Sequence, residues 1–369
     1  MHLSNARVAL STALLASLSL PLLPSSLALS LTRRATVCNG HEEFCDRSYG
    51  NVSFVGAHDS YAVGTNNLAT NQDYDVTQQL NDGIRMLQMQ AHMQNDVIHL
   101  CHSSCVLYDG GTLQDYLTHV KTWMDANTND VVTLLIVNSD GATPSQFDSV
   151  FQSVGLTNLS YTPTSSPMAH TDWPTLGSMI DSGRRLVTFM DAGADSSQVS
   201  YIIDEFTNMW ETAFDVTDPT FDCNVNRTRG DPSTQLYTIN HFLDEEVNVI
   251  ATSVAPDKGA LNTTNAASGD GSLGEQASEC GVQQGRSPNF MLVDFYEYGG
   301  GSVFEVAATL NGVSYVPSSP IATPIPDTTN SSTSSSSSAA ISTLSVSAGV
   351  LAGLGTFVSG TIIGIWTIL

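Results

Sequence analysis

Short apolar runs rich in β-branched residues alternate along the chain with segments whose apolar residues recur at helical spacing. The apolar runs predict strands, and the run VVTLLIV at 131–137 is the clearest of them. Seven strands are predicted in this way, at Val52–Val55, Ile84–Met89, Val97–Leu100, Val131–Val137, Leu186–Met190, Leu236–Ile239 and Phe290–Phe295, and an eighth is expected near Tyr201–Trp210. Helices are predicted at Leu113–Met124, Phe147–Val154 and Phe242–Val254, the last with the acidic run 244–246 in its first turn.

This alternation of strands and helices favours a parallel β/α architecture. The block from residue 36 to 316 has the length of one large domain, and its strand count suits a closed, TIM-like (β/α)₈ barrel. A doubly wound open sheet is the alternative, but no glycine-rich phosphate loop follows the first strand. We therefore expect an α/β barrel within residues 29–316.

The N-terminal segment has the pattern of a signal peptide. Arg7 precedes an apolar run at 8–23, and the small-x-small sequence 26–28 (SLA) follows it. The alternative is a membrane-spanning helix, but the apolar run is short and contains Pro21. We expect cleavage after Ala28, so that residues 1–28 are removed.

The C-terminal segment has the pattern of a GPI-attachment signal. Residues 317–340 are rich in Ser, Thr and Pro and predict a disordered stalk, with Asn330 as the candidate attachment site. Residues 341–369 form an uncharged, mostly apolar tail that the attachment reaction would remove. An ordinary transmembrane helix is the alternative, but no Lys or Arg follows the tail.

The cysteine count agrees with export. An even number of cysteines in an exported chain indicates disulfides, although several pairings are possible. The local spacing favours Cys38–Cys45 and Cys101–Cys105, which leaves Cys223–Cys280. A zinc site is the competing interpretation, but the chain contains no Cys-x-x-Cys pair.

The composition limits the partners of the protein. With 36 acidic and 12 basic residues, the formal net charge is −24, and such a surface repels nucleic acids and anionic membranes. We therefore expect no nucleic-acid partner, and we expect a monomer. Sequons that would accept N-glycans in an exported chain occur at Asn51, Asn158, Asn226 and Asn262.

Three residues that can carry chemistry follow predicted strands. His58 and His102 come directly after apolar runs, and Asp294 lies within the last one. Active residues of a β/α barrel lie at the carboxyl ends of the strands, so these three side chains could share one mouth. Two histidines in one cleft suggest a general base and a general acid, although a single histidine more often fills a polar niche.

Several stretches around these residues resemble a known family. The sequence reads FVGAHDSY at 54–61, TQQL at 77–80 and GIRML at 83–87. Together these stretches resemble the X-domain of phosphatidylinositol-specific phospholipase C. The later stretches HLCHSSC at 99–105, NHFL at 240–243 and VDF at 293–295 are similar to its fungal extracellular branch.

The resemblance implies a TIM-like barrel with a phosphodiesterase site. It implies that His58 is the general base that deprotonates the inositol 2-hydroxyl and that His102 is the general acid. It also implies that Asp59 is the carboxylate beside the base, and that Asp294 is the last-strand carboxylate that orients it.

The second strand departs from the family pattern. Bacterial relatives carry Asp-x-Arg there, where the Arg clamps the phosphate, and metal-dependent relatives carry acidic ligands, whereas this chain has Gln88 and Gln90. Arg85 lies on the other face of the strand, because it is an odd number of residues away. The missing clamp could cost about 3–4 kcal/mol of transition-state stabilisation. We expect Gln88, Gln90 and His241 to line the substrate site, with no metal ion and no cofactor.

Two hypotheses for the function follow. The first is an extracellular phosphodiesterase that acts on the head group of a phospholipid or glycolipid. The second is a barrel that has lost catalysis and binds a lipid head group or a cell-wall glycan. The retained histidines favour the first, and the missing phosphate clamp favours the second.

Deleting residues 341–369 should release the protein into the medium, because the tail is the signal for lipid attachment. The measurement compares the protein in medium and cell fractions for the full and the shortened chain. Equal retention of both chains at the cell surface would refute the anchor.

Overall fold

The computed structural model describes residues 34–65, 67–248, 252–317 and 319–326. The strands are β1 (Phe54–Ala57), β2 (Met86–Gln94), β3 (Val97–Cys101), β4 (Asp109–Thr112), β5 (Val132–Asn138), β6 (Leu186–Met190), β7 (Ile202–Asp204), β8 (Met209–Glu211), β9 (Leu236–Asn240), β10 (Asp244–Asn248), β11 (Thr252–Pro256) and β12 (Phe290–Val293). The helices are α1 (Val76–Asp82), α2 (Leu113–Ala126), α3 (Pro144–Val154), α4 (Leu176–Asp181), α5 (Glu205–Asn208), α6 (Leu261–Thr264), α7 (Leu273–Gln284) and α8 (Ser302–Asn311). The predicted signal peptide, the candidate attachment site Asn330 and the apolar tail lie outside the described residues.

Eight parallel strands form the barrel and follow one another around it in chain order. The hydrogen-bonded path runs β7-β6-β5-β2-β1-β12-β9-β8. β7 and β8 lie at the two ends of this path, no ladder joins them in the described part of the chain, and the four-residue helix α5 connects them. The architecture is therefore the TIM-like α/β barrel that the sequence predicts, with its ladder open at one position.

The predicted strand at Val97–Leu100 is not a barrel strand, which corrects the expected strand order. It lies in β3, which pairs antiparallel with β2 across the turn formed by Asn95 and Asp96. Both turn residues have positive φ, and such a short turn suits only an antiparallel hairpin, whereas a parallel neighbour needs a long crossover. The third barrel strand is β5, and the region near Tyr201–Trp210 contributes two strands instead of one.

The predicted helix at Phe242–Val254 is also wrong. The described residues of this segment form the antiparallel hairpin of β10 and β11, in which Asp244 pairs with Pro256. The segment is rich in β-branched residues, which favour strands and override the helical spacing of its apolar positions. The acidic run 244–246 therefore lies on a strand at the rim of the barrel.

Alternation along the barrel strands separates two apolar layers. The side chains of Phe54, Met86 and Phe290 belong to the cluster that fills the barrel. Their chain neighbours, including Val55 and Leu87, belong to the cluster between the sheet and the helices. This period of two is the usual consequence of strand geometry, and it decides which side chains can reach the barrel mouth.

The structure contains the three disulfides that the spacing favours. They are Cys38–Cys45, Cys101–Cys105 and Cys223–Cys280, and the described residues include no free cysteine. The second disulfide closes the short loop after β3, and the third ties the segment after β8 to α7.

The first residues of the predicted stalk pack on the barrel domain. The backbone N–H of Ala322 donates to Asp82 (3.1 Å), and that of Ile325 donates to Asp73 (2.8 Å). Residues 319–326 therefore belong to the folded domain, which extends past the expected boundary at residue 316. Among the described helices, none combines the length and the apolar character that a membrane span requires.

Candidate active site

A cavity of about 410 Å³ opens at the carboxyl ends of the barrel strands. Its lining includes His58, Gln88, Gln90, His102, Arg227 and Asp244. The sequence predicts the first four of these residues at the site. The last two were missed because they lie on connections whose path only the fold defines.

His58 follows β1, and the register of the sheet brings it to Asp294. β1 pairs with β12 so that Ala57 lies opposite Val293, and the next residues are His58 and Asp294. His58 Nδ1 lies 2.9 Å from Asp294 Oδ1 and donates to it. The Asn71 side chain donates to both oxygens of Asp294 at 3.1 Å, which holds the carboxylate in place. The other ring nitrogen of His58 is left for a ligand.

The ring of His58 is also held from one face. It stacks on the ring of Phe242, with the centroids 3.8 Å apart and the planes 3° from parallel. Phe242 follows β9 on the way to the β10–β11 hairpin, so the misassigned segment supplies a wall of the cavity.

His102 and His58 both lie near one buried carboxylate. Asp59 Oδ2 is 3.9 Å from His58 Nε2 and 3.8 Å from His102 Nδ1, and the Asp59 side chain has no exposed surface. His102 Nδ1 donates to the carbonyl of Ala69 at 3.0 Å, so the Nε2 edge of this ring remains available. The structure thus brings together all four predicted catalytic residues.

The three turns that carry these residues have an uncommon backbone. Asp59, Ser103 and Phe295 directly follow His58, His102 and Asp294, and their φ angles are +39°, +57° and +44°. Non-glycine residues rarely adopt positive φ, and such residues concentrate at functional sites. The Asn265 side chain donates to the carbonyls of Asp294 and Phe295 at 2.9 and 3.0 Å, which stabilises the third turn.

Gln88 and Gln90 brace the site. Gln88 Oε1 accepts from the backbone N–H of Asp59 (2.6 Å), and Gln90 Nε2 donates to Asp59 Oδ2 (2.8 Å). Gln90 Oε1 accepts from the N–H of Ser103 (3.1 Å), which links the two histidine loops. Both glutamines face the cavity, as their shared strand face predicts, whereas Arg85 pairs with Asp130 outside the barrel at 2.8 Å.

The electrostatics of the site favour a protonated His58. Burial by itself lowers the pKa of this imidazole, but the negative charges of Asp294 and Asp59 outweigh burial and raise the pKa to about 9. Burial raises the pKa of Asp59, and the nearby charges of His58 and His102 oppose that rise. These two carboxylates therefore favour the imidazolium form of His58.

The opposite wall of the cavity carries a second polar cluster that sequence reasoning missed. Arg227 pairs with Glu211 through Nε (3.1 Å) and Nη2 and packs over the ring of Phe214, 4.2 Å from its centroid. The pKa of Glu205 is raised well above its usual range by burial and by the charge of Glu211. The pKa of Asp244 is raised to about 7 by burial and by the charge of Asp294.

His241 does not line the site, which corrects its predicted role. It follows Asn240, whose side chain does face the cavity, and alternation turns the histidine to the opposite side. Its ring is fully buried, with Nδ1 2.7 Å from Gln276 Oε1 and Nε2 2.8 Å from the carbonyl of Thr264. Burial lowers the pKa of His241 to about 4, which suits a structural residue.

Within the described part of the chain, no three His, Cys, Asp or Glu side chains are placed to hold a metal ion. The carboxylates of Asp59, Asp294 and Glu211 are instead engaged with protein donors or with histidine. Whether the activity is independent of metal ions is a prediction that experiment must test.

The model of the PI-PLC X family (PI-PLC X 1) matches residues 44–311. The chain belongs to this family. The match spans β1 to α8 and includes the four predicted catalytic positions.

Relatives from fungi and plants support this assignment. An uncharacterized secreted protein of Arthroderma benhamiae is 49% identical over 75% of this chain, which spans only 64% of that relative's length. The PI-PLC X domain-containing protein 1 of the same fungus is 44% identical over 76% of this chain and 92% of its own length. The PI-PLC X domain-containing protein At5g67130 of Arabidopsis thaliana is 27% identical over 66% of this chain and 55% of its own length.

Solved structures of bacterial enzymes are similar at a lower level. A phosphatidylinositol-specific phospholipase C from Staphylococcus aureus has 14% identity and a TM-score of 0.48, covering 74% of this chain and all of its own. The enzyme of the same name from Listeria monocytogenes has 11% identity and a TM-score of 0.47, covering 71% and 94%. The barrel assignment rests on the strand order of this chain itself.

Replacing Asp294 by Asn should lower the pKa of His58, because the neighbouring negative charge that raises it is lost. The pKa of His58 is about 9 in the folded protein and 6.5 ordinarily. The ion pair of His58 with Asp294 therefore contributes its full stabilisation of the fold below pH 6.5, and this contribution is lost as the pH rises through 9. The variant should therefore lose more stability near pH 6 than near pH 10, measured by chemical denaturation, while NMR titration of the histidine rings reports the pKa. Asp109→Asn, which removes the partner of His99, is the control. An unchanged His58 titration in Asp294→Asn would contradict the assignment.

Proposed function

We propose that this protein is an exported phosphodiesterase that cleaves the phosphodiester of a lipid head group by general acid–base catalysis with two histidines. The observation that carries the proposal is the position of Asp59 Oδ2, which lies within 4 Å of both His58 and His102 in one cavity. This arrangement supplies two imidazoles on the same mouth, each with one nitrogen already engaged by the protein.

His58 is suited to act as the general base. Its Nδ1–H is held by Asp294, so Nε2 can accept the proton of the attacking hydroxyl. The two neighbouring carboxylates stabilise the imidazolium that this step forms. The same charges keep the pKa near 9, so the fraction of free base rises with pH across the neutral range.

His102 is suited to act as the general acid. Its Nδ1–H donates to the Ala69 carbonyl, which leaves Nε2–H to protonate the oxygen of the leaving alcohol. The Cys101–Cys105 disulfide brackets this histidine and limits the motion of its loop. The proton that His58 gains and the proton that His102 loses balance over the reaction.

An acidic cavity must still accept a phosphodiester. The raised pKa values of Glu205 and Asp244 reduce the number of negative charges near neutral pH, and the carboxylate of Glu211 is paired with Arg227. The amide nitrogen of Gln88 can then donate to the phosphate, and His58 becomes positively charged beside it as it accepts the proton of the attacking hydroxyl. These groups take the place of the arginine clamp that the second strand lacks.

The sequence patterns of the two terminal segments and the three disulfides support a proposal for the place of action. We infer export, N-glycosylation and attachment to the outer membrane surface or cell wall through a GPI anchor. Three disulfides are typical of an oxidising compartment, and the four candidate sequon asparagines of the barrel are all exposed. A phospholipid or glycolipid head group is the substrate class that such a location offers, and the protein acts as a monomer.

A binding protein without catalysis is the second candidate. It is favoured by the hydrogen bonds of the second strand, because both of its glutamines already hold Asp59 and Ser103. Neither brings a positive charge to a transition state, and charge-assisted hydrogen bonds are about twice as strong as neutral ones. Such a cavity could bind a head group without cleaving it.

Replacing His58 or His102 by Ala should each lower kcat by roughly 10²–10⁴-fold, the usual contribution of a general acid or base. The assay is a screen of purified protein against phosphodiester substrates with different head groups. His99→Ala is the matched control, because this histidine pairs with Asp109 and lies outside the cavity. Activity that survives both substitutions would move the site elsewhere. A folded protein that binds a diester and cleaves none would favour the binding hypothesis.

Activity should persist in EDTA, because Gln88 and Gln90 stand where metal-dependent relatives carry acidic ligands and hard cations prefer carboxylate oxygens. The measurement compares initial rates before and after chelation. Loss of activity that Ca²⁺ or Mg²⁺ restores would show that the site uses a metal.

A further inference from the structure

A second polar cavity, of about 340 Å³, lies at the opposite end of the barrel. Its lining includes Ser53, which precedes β1, and Asn289, which precedes β12. His58 and Asp294 follow the same two strands, so the two cavities are separated by the length of the strands. The second cavity is also lined by Arg47, His170 and Arg286.

Arg47 is held in place by neutral groups. Its Nη1 donates to the backbone carbonyl of Asn311 at 2.7 Å and lies 3.4 Å from Oδ1 of the same residue. Asn311 is itself fixed, because its side chain accepts from the N–H of Ser53 (3.0 Å) and donates to its carbonyl (2.8 Å). Arg47 Nε and Nη2 donate to no described residue and are available to a ligand.

Arg286 is held in a matching way from the other side. Its Nη1 donates to Oδ1 of the buried Asn289 at 3.1 Å, and its Nη2 donates to the carbonyl of Gln235. Its guanidinium packs over the ring of Tyr237, 4.5 Å from the centroid. Two guanidinium groups are therefore already oriented toward one cavity. A ligand that binds them does not have to order two long side chains, so this entropy cost of binding is avoided.

The positive charge of this cavity is uncompensated. No Asp or Glu is among its described lining residues, and neither arginine makes an ion pair with a described carboxylate. This is unusual in a chain with three times as many acidic as basic residues. The positive charge of the cavity also affects His170. Burial and the charge of Arg286 lower the pKa of this histidine, and Asp172 raises it only in part.

We propose that this cavity binds a phosphate group, either as inorganic phosphate or as a phosphorylated alcohol, independently of the histidine pocket. The planar donor edges of two arginines match the oxygens of a tetrahedral oxyanion. Ser287 also lines the cavity, and its hydroxyl can donate to one of the remaining oxygens. A bound phosphate would supply the negative charge that the lining lacks.

The test follows the ring signals of His170 by NMR while the purified mature protein is titrated with inorganic phosphate. A second titration uses glycerol phosphate, and chloride at equal ionic strength is the reference for both. His170→Gln assigns the signal, and N-glycans are first trimmed to one sugar because Asn51 lies at the cavity. We expect phosphate to shift this signal and to raise the pKa of His170, and the stronger of the two titrations identifies the source of the phosphate group.

Two variants decide whether the arginine cavity is responsible. Arg47→Gln should weaken binding by about tenfold, which corresponds to the loss of one charge-assisted hydrogen bond. Ser287→Asp keeps both arginines but places a carboxylate in the cavity, so it should abolish the response even if Arg47→Gln folds poorly. Arg184→Gln is the control, because this exposed arginine donates to the Thr157 carbonyl outside the cavity.

The double variant His58→Ala, His102→Ala separates this site from the proposed catalytic pocket. It should still bind phosphate through the arginine cavity, even if the protein proves to have no phosphodiesterase activity. The absence of a His170 response in the folded wild type would overturn the proposal. Equal affinities of the wild type and the Ser287→Asp variant would overturn it as well.

Discussion

The parallel register of β1 with its two neighbours is the constraint on which the histidine pocket depends. Gly56 pairs with Met86 on one side and with Leu292 on the other, so the residues two positions later, His58, Gln88 and Asp294, form one row at the barrel mouth. Because side chains alternate between the two faces of a strand, a shift of one residue would turn this row toward the helices. The apolar layer beneath it makes such a shift costly.

The row also explains how charged groups can be kept in a largely buried site. Burial of an ion is unfavourable unless opposite charges and hydrogen bonds compensate for it. Here the carboxylates of Asp59 and Asp294 lie on either side of His58, and each also accepts from a side-chain amide, of Gln90 and Asn71 respectively. Both carboxylates therefore stabilise the imidazolium form of His58.

The structure shows a role for the two glutamines of the second strand that their residue type alone does not predict. Viewed as substitutes for a phosphate clamp, Gln88 and Gln90 are poor ligands, because they carry no charge. In the structure their main work is internal, since they connect the turn at Asp59 to the turn at Ser103. The loops of the two histidines are thus joined to each other through hydrogen bonds from one strand.

The sequence by itself predicted the barrel class, the disulfide pairs and the grouping of His58, Asp59, His102 and Asp294 at one mouth. The first two depend on apolar runs and cysteine spacing, and His58 and Asp294 on their positions at the ends of barrel strands. Asp59 and His102 depend on the family resemblance, because the strand before His102 lies outside the barrel. Only the tertiary structure decided that Val97–Leu100 pairs outside the barrel and that Phe242–Val254 contains a hairpin, because the apolar pattern of a segment does not record which strand it pairs with.

The tertiary structure alone also placed Arg227 and Glu211 opposite the histidines and turned His241 away from them. Nothing near Arg227 in the sequence marks it as a site residue, since its position results from a long connection returning to the barrel mouth. The outcome at His241 depended on which face of β9 points inward. That face is set by contacts between residues far apart in the chain, which no local pattern records.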